Sequence, residues 1–163
     1  MSSVAPRPLT LTPGELGDLD DVMVVMGEAF SPEFGEAWTR SQCAGILPMH
    51  GVALTIARCG QTSAIRGFAL ARTVVDEAEL LLIGVVPTAQ REGVGRALLD
   101  EFVERAERAG VTRLHLEVRD GNGAISLYHS LTFKIAGRRS NYYRGTDGRQ
   151  YDALTLVRQS TGS

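Results

Sequence analysis

Eight consecutive apolar residues, Leu80 to Pro87, run into Gln90-Arg91-Glu92-Gly93-Val94-Gly95-Arg96, and an amphipathic segment follows. Eight residues fall far short of the roughly 20 that span a bilayer and match a buried strand. From Val94 onward, Ala97, Leu98, Phe102, Ala106 and Ala109 recur at helical spacing, with Arg96, Asp100, Glu104 and Glu107 on the other side. Gly110 is placed to end that helix. Arg113 to Arg119 then alternates, with Leu114, Leu116 and Val118 on one side and His115 and Glu117 on the other. A strand–helix–strand unit therefore occupies the middle of the chain and selects an α/β architecture.

The flanking segments extend this reading. Pro8 to Thr12 fits a short strand, and Pro13 is placed to open a helix carrying Leu16, Leu19, Val22, Met23 and Met26 inward. Ala37 to Leu47 reads as a second helix, stopped by Pro48. Val52 to Cys59 and Ile65 to Val75 read as a hairpin turning around Gly60 to Ser63. The strand at Leu80 to Val86 reads as buried on both faces. Ala124 to Leu131 is helical, and Phe133 to Tyr143 with Arg149 to Val157 form a last hairpin across Gly145 to Gly148. The expected order is β-α-α-β-β-β-α-β-α-β-β, an α/β (mixed α+β) sheet covered by helices. With 163 residues, one domain over 8–158 is expected, with flexible tails at 1–7 and 159–163.

Composition excludes several classes. The chain is 44% hydrophobic and 22% charged, the mix of a folded soluble protein. Its N-terminus carries no charged start followed by an apolar stretch, so no secretory leader is read and a cytoplasmic protein is expected. Cys43 and Cys59 are too few for a disulfide framework and read as small apolar residues. His50, His115 and His129 share no metal-ligand spacing with Cys or carboxylates, so no metal is expected. His115, two positions from Glu117, either tunes that carboxylate or is a plain half-buried histidine. Residues 1–90 hold five Arg against ten acids, and residues 91–163 hold twelve basic residues against nine acids. A phosphate-bearing ligand finds the better field in the second half, unless the imbalance only marks a solvated surface.

Gly93 and Gly95 let backbone N–H groups converge at a helix N-terminus, where the dipole suits a phosphate and Arg91 and Arg96 add countercharge. A plain glycine-rich turn is the alternative. Leu98 stands where a dinucleotide fingerprint needs its third glycine, and no Gly-Lys-Ser/Thr follows for a nucleotide P-loop. The remaining pattern, Gln-x-x-Gly-x-Gly after an apolar strand ending in Val-Pro, resembles motif A of the GNAT acyltransferase superfamily. The C-terminal third is similar to RimI-type protein N-terminal acetyltransferases. Leu116-Glu117-Val118-Arg119, Asn122, Ala124 to Tyr128, Arg138 to Tyr143, Asp147-Gly148-Arg149 and Asp152-Ala153 carry that likeness.

The resemblance implies acetyl-CoA as co-substrate. The backbone of Ile83, Gly84 and Val85 would hold the pantetheine arm and thioester carbonyl. Arg91, Glu92, Gly93, Val94, Gly95 and Arg96 would wrap the pyrophosphate, with the Glu92 side chain pointing away. Asn122 would contact the cofactor, Glu117 would be the general base and Tyr128 the general acid. Tyr142 and Tyr143 would hold the peptide backbone. Each residue also has a plainer reading: a surface carboxylate for Glu117, core packing for Tyr128, and edge-hairpin packing for Tyr142 and Tyr143. Two departures from the family pattern stand out. Asn122 and Tyr128 are six residues apart where seven is usual, and Thr132 replaces a Gly before Phe133.

The implied reaction is direct attack of a protein α-amine on the thioester, the expected acceptor being the N-terminal alanine of a ribosomal protein. An α-amine with pKa near 7.7–8.0 is roughly 10–15% neutral at pH 7, whereas a lysine amine is neutral to only about 0.04%. A terminal amine thus needs little help from a base. The expected partner is a protein or peptide N-terminus, with neither nucleic acid nor membrane. Arg138, Arg139, Arg144 and Arg149 offer only a weak nucleic-acid reading in a chain of net charge −2. The acidic side chains Glu28, Glu33 and Glu36 read as a solvated face rather than a peptide site. Acetylation of a small amine such as a polyamine or antibiotic, and a non-catalytic acyl-CoA-binding module, are the competing functions.

Overall fold

Strands Glu77–Val85 (β4) and Arg113–Arg119 (β5) lie parallel at the centre of a seven-stranded sheet, and helix Val94–Arg108 (α3) joins them. The computed structural model describes residues 8–60 and 64–160. The other strands are Leu9–Pro13 (β1), Val52–Cys59 (β2), Ile65–Val74 (β3), Lys134–Arg144 (β6) and Gln150–Gln159 (β7). The sheet order is β1-β2-β3-β4-β5-β7-β6, antiparallel at every pairing except β4–β5. Helices Leu19–Ala29 (α1), Arg40–Ile46 (α2) and Ile125–Ser130 (α4) complete the expected order. A side chain at Gly67 of β3 would meet Val94 and Leu98 of α3, whereas its neighbour Phe68 faces Gly84, which in turn faces Phe30 at the end of α1. Adjacent strand residues point to opposite faces, so α1 and α3 cover the two sides of the sheet. One continuous hydrophobic core joins both layers.

The pairing of β4 with β5 is short. Register runs only from Glu77 opposite Arg113 to Leu80 opposite Leu116. Beyond that the two strands part, leaving Leu81–Val85 without a neighbour on that edge while β5 continues its ladder with β7. At the parting point β4 carries an extra residue: Leu82 pairs with Leu70 and Leu80 with Ala71, so Leu81 is bulged. A bulge bends its strand and re-aims side chains, which suits the rim of an opening.

Several sequence expectations are corrected. Pro13 does not open α1; it closes β1 opposite Thr55. The Glu15 N–H donates to the Asp18 carboxylate at 2.8 Å, fixing a 3₁₀ turn over Leu16–Asp18, and α1 starts at Leu19. Leu16 is consequently half exposed instead of joining the core. Helix α2 begins at Arg40 rather than Ala37, because Thr39 and Gln42 form a reciprocal capping box with bonds of 3.1 and 2.7 Å. β4 starts three residues early, at Glu77, and its burial alternates rather than being complete on both faces. Leu99 and Val103 join the buried stripe of α3, while Ala109 is its exposed C-cap. β7 reaches Gln159, which the sequence reading placed in the tail. The turn residues 61–63 and the tail residues 1–7 and 161–163 lie outside the described residues.

Candidate active site

The parting of β4 and β5 opens a cleft of about 1010 Å³. Its lining brings together Ile83, Gly84 and Val85 from β4, Arg91, Gly93, Gly95 and Arg96 from the glycine loop, Glu117 from β5, and Asn122, Tyr128, Tyr142 and Tyr143. Of the site residues that the family resemblance implies, Glu92 and Val94 are not part of that lining. Glu92 points to Arg66 at 3.7 Å, and Val94 is 1% exposed in the core. A separate groove of about 640 Å³ beside Pro13–Gly17 and Leu47–Pro48 shares no residue with the cleft.

At one end of the cleft Gly93 adopts φ +79°, a left-handed value that glycine reaches without steric cost, and caps α3. The first helical bond is donated by Ala97 N–H to the Gly93 carbonyl at 3.0 Å. The amides of Val94, Gly95 and Arg96 precede that ladder and have no intrahelical acceptor. Arg96 also contacts Asp100 at 3.4 Å.

At the other end, Glu117 is 14% exposed and both its oxygens have partners. Thr155 Oγ1 donates to Oε2 at 2.8 Å, and Arg139 Nε lies 3.2 Å from Oε1. His115 shares the face of β5 that carries Glu117, and its Nδ1 lies 3.5 Å from Glu79. Tyr128 is 4% exposed and packs edge-on against Phe133 with centroids 6.1 Å apart. Burial first, and the Glu36 charge second, push its phenol above the ordinary range. Tyr143 is shifted the same way, chiefly by burial and then by Glu36. Both phenols therefore keep their protons across neutral pH.

Tyr142 and Tyr143 owe their placement to a bulge. Between Arg139 opposite Ala153 and Tyr143 opposite Tyr151, β6 carries three residues against Asp152 alone. Asn141 takes φ +55°, and its N–H donates to the Asp152 carboxylate at 3.0 Å. The two tyrosine rings stand edge to face, 4.9 Å apart.

Glu36 is the residue that sequence reasoning misplaced. It is no solvated loop acid: its side chain is 10% exposed and lines the cleft. Its Oε1 accepts from Arg119 Nε at 3.2 Å and from Asn122 Nδ2 at 3.0 Å. Arg119 lies under the Phe34 ring, 3.6 Å from its centroid. Asn122 Oδ1 accepts from the Ala124 N–H at 2.8 Å, so one side chain braces the start of α4 and anchors Glu36. The loop carrying Glu36 also docks on the β6–β7 turn. The Thr146 N–H donates to the Pro32 carbonyl at 3.2 Å, and the backbones approach so closely that a side chain at Gly35 would strike the Arg144 carbonyl and one at Gly145 the Glu33 carbonyl.

The chain matches the acetyltransferase (GNAT) family over residues 19–133. It belongs to that family. The [ribosomal protein bS18]-alanine N-acetyltransferase of Escherichia coli K12 is 47% identical over 98 residues, covering 60% of this GNAT chain and 66% of that protein. N-alpha-acetyltransferase RimI of Mycobacterium tuberculosis is 44% identical over 92 residues, 56% of this chain and 54% of that protein. These alignments thus span just under two thirds of the first relative and about half of the second. The crystal structure of the E. coli ribosomal-protein-S18-alanine N-acetyltransferase superposes with a TM-score of 0.82 at 34% identity, covering 93% of this chain and 94% of that one. Arabidopsis thaliana NAA60, solved with a bisubstrate analogue, shares the fold at a TM-score of 0.81 and 21% identity, covering 96% of this chain and 100% of that one.

The cleft fits an acyl-CoA. The Leu81–Val85 edge of β4 lacks a strand neighbour, and the glycine loop brings Arg91, Gly93, Gly95 and Arg96 into the same lining. At Gly84 a side chain would come within 2.7 Å of Phe68 Cε1, so the strand there stays bare. Among the described residues, no group of three or more His, Cys, Asp or Glu is arranged to hold a metal, and no helix is long and apolar enough to cross a membrane.

Proposed function

We propose that this chain transfers an acetyl group from acetyl-CoA to the α-amine of a protein N-terminus, the N-terminal alanine of a ribosomal protein being the expected acceptor. The observation that carries the reading is the meeting of Glu117 and Tyr128 in one cleft, which runs from the open amides of α3 to Tyr142 and Tyr143. The printed names of the E. coli and M. tuberculosis relatives support the acceptor class. With such an acceptor, we infer a cytoplasmic activity.

Acetyl-CoA supplies a thioester that a neutral amine attacks directly, so no covalent enzyme intermediate is needed. The amides of Val94, Gly95 and Arg96, with Arg91 and Arg96, bind the pyrophosphate. The bare edge at Ile83–Val85 orients the arm by main-chain bonding, as a strand would. Glu117, held by Thr155 and Arg139, takes the amine proton directly or through a water. Tyr128, buried and neutral in the same lining, keeps its Oη proton and would give it to the departing thiolate. Tyr142 and Tyr143 flank the acceptor, and the union of the Pro32–Glu36 loop with the β6–β7 turn narrows its approach.

The test is thiol release from acetyl-CoA, with mass readout, against peptides with free or blocked N-termini and a panel of small amines. Acetylation confined to free N-termini, with kcat reduced about 100-fold or more in Tyr128→Phe, is the expected result. Turnover on small amines alone moves the chain to a metabolite-acetylating role. Tight acetyl-CoA binding without turnover leaves a binding module.

A further inference from the structure

Glu117 lines the cleft and is 14% exposed, whereas the cation beside it, Arg139, is 62% exposed. A carboxylate that withdrawn from water needs partners, and here its oxygens meet a hydroxyl from one strand and a guanidinium from another. Thr155, directly opposite Glu117 on β7, bonds Oε2. Thr155 in turn faces Gly137 on β6, a position with no side chain. Arg139, two residues farther along the same strand, reaches across that vacant row to Oε1 at 3.2 Å. One hydrogen bond and one ion contact, on different oxygens, restrict the plane of the carboxylate more than either does alone.

Arg139 also lies at the start of the bulge that turns Tyr142 back. Its guanidinium carbon is 5.7 Å from the centroid of the Tyr142 ring, within cation–π range. One side chain therefore touches both the carboxylate and an aromatic residue at the acceptor mouth. Its neighbour Arg138 is engaged elsewhere, bridging Asp120 and Asp152 at 2.8 and 2.9 Å. Adjacent arginines on one edge strand thus have different partners, Arg138 the loop after β5 and Arg139 the cleft residues Glu117 and Tyr142.

We infer that Arg139 is a positioning residue for acetyl transfer: with Thr155 it holds the Glu117 carboxylate in the orientation that receives the substrate amine. The inference rests on the reading of Glu117 as the base. Because Arg139 itself is mostly exposed and Thr155 still bonds the carboxylate, loss of the ion contact costs little folding stability, so its consequence is kinetic.

The test is a double-mutant cycle on the full chain, using acetyl-CoA with the amine acceptor that the panel above identifies. Arg139→Ala is expected to lower kcat about tenfold or more, because misplaced reacting groups lose rate steeply. The KM for acetyl-CoA should be unchanged and the melting temperature should stay within about 3 °C. Arg139→Lys restores part of the rate, since an ammonium supplies charge without the fixed Nε geometry. Thr155→Val gives a loss of the same kind. In a Glu117→Gln background, Arg139→Ala should add little, the signature of residues acting as a unit. Equal losses in both backgrounds, or an effect confined to the acceptor KM, overturns the inference in favour of direct substrate contact. Absence of turnover on every amine overturns the catalytic reading of the site and this role with it, whereas turnover with additive losses overturns this role alone.

Discussion

Thr132 shows how one residue records a departure from its family. Helix α4 ends in a Schellman motif: the Phe133 N–H donates to the Tyr128 carbonyl at 3.1 Å and the Thr132 N–H to the His129 carbonyl at 3.0 Å. That motif demands a left-handed residue at position 132, and Thr132 obliges at φ +67° although it is β-branched. The family's usual glycine would adopt it without strain. Thr132→Gly should therefore stabilise the chain by about 0.5–1 kcal/mol, the relief of strain exceeding the added freedom of the unfolded chain. A urea titration of both proteins measures the difference. The missing glycine was legible in the sequence, but its geometric meaning needed the hydrogen bonds around it. Glu36 illustrates the reverse. Nothing near it in sequence announces Arg119 or Asn122 as partners, because its contacts span 83 and 86 residues.

Among the elements, β5 was read to the residue, since its alternation is unbroken between Thr112 and Asp120. The start of α2 was misread although Thr39-x-x-Gln42 is itself a capping-box signature; weighting it above Ala37 and Trp38 would have found the boundary. The loop before α2 and the β6–β7 turn act as one element. Gly35 takes φ +71° against the Arg144 carbonyl, so Gly35→Ala is expected to cost about 2 kcal/mol or more through backbone strain and the clash. Because the same loop carries Glu36, the variant should raise the acceptor KM several-fold while leaving the KM for acetyl-CoA near its starting value. Initial rates with each substrate varied in turn separate the two effects.

For the whole molecule, the two buried phenols predict how stability responds to alkali. Tyr128 and Tyr143 have an ordinary pKa of 10.0 and are raised in the fold, mainly by burial. Above pH 10 the unfolded chain loses those protons while the folded chain keeps them. The folded state then binds more protons, so stability falls as pH rises. The melting temperature should be flat in this respect below about pH 9 and decline beyond pH 10. Tyr143→Phe should make that decline shallower, and thermal melts between pH 8 and 11 measure the slope.

The sequence by itself determined the order of strands and helices, the glycine loop at the head of α3, and the family likeness. Each of these is written in local periodicity or in residues close together along the chain. Only the tertiary structure decided that β4 and β5 separate after Leu80 and Leu116, which creates the cleft. It alone placed Glu36 inside that cleft and set Arg139 against Glu117. Strand separation and ion pairing depend on where distant segments meet, and a one-dimensional pattern carries no record of such distances.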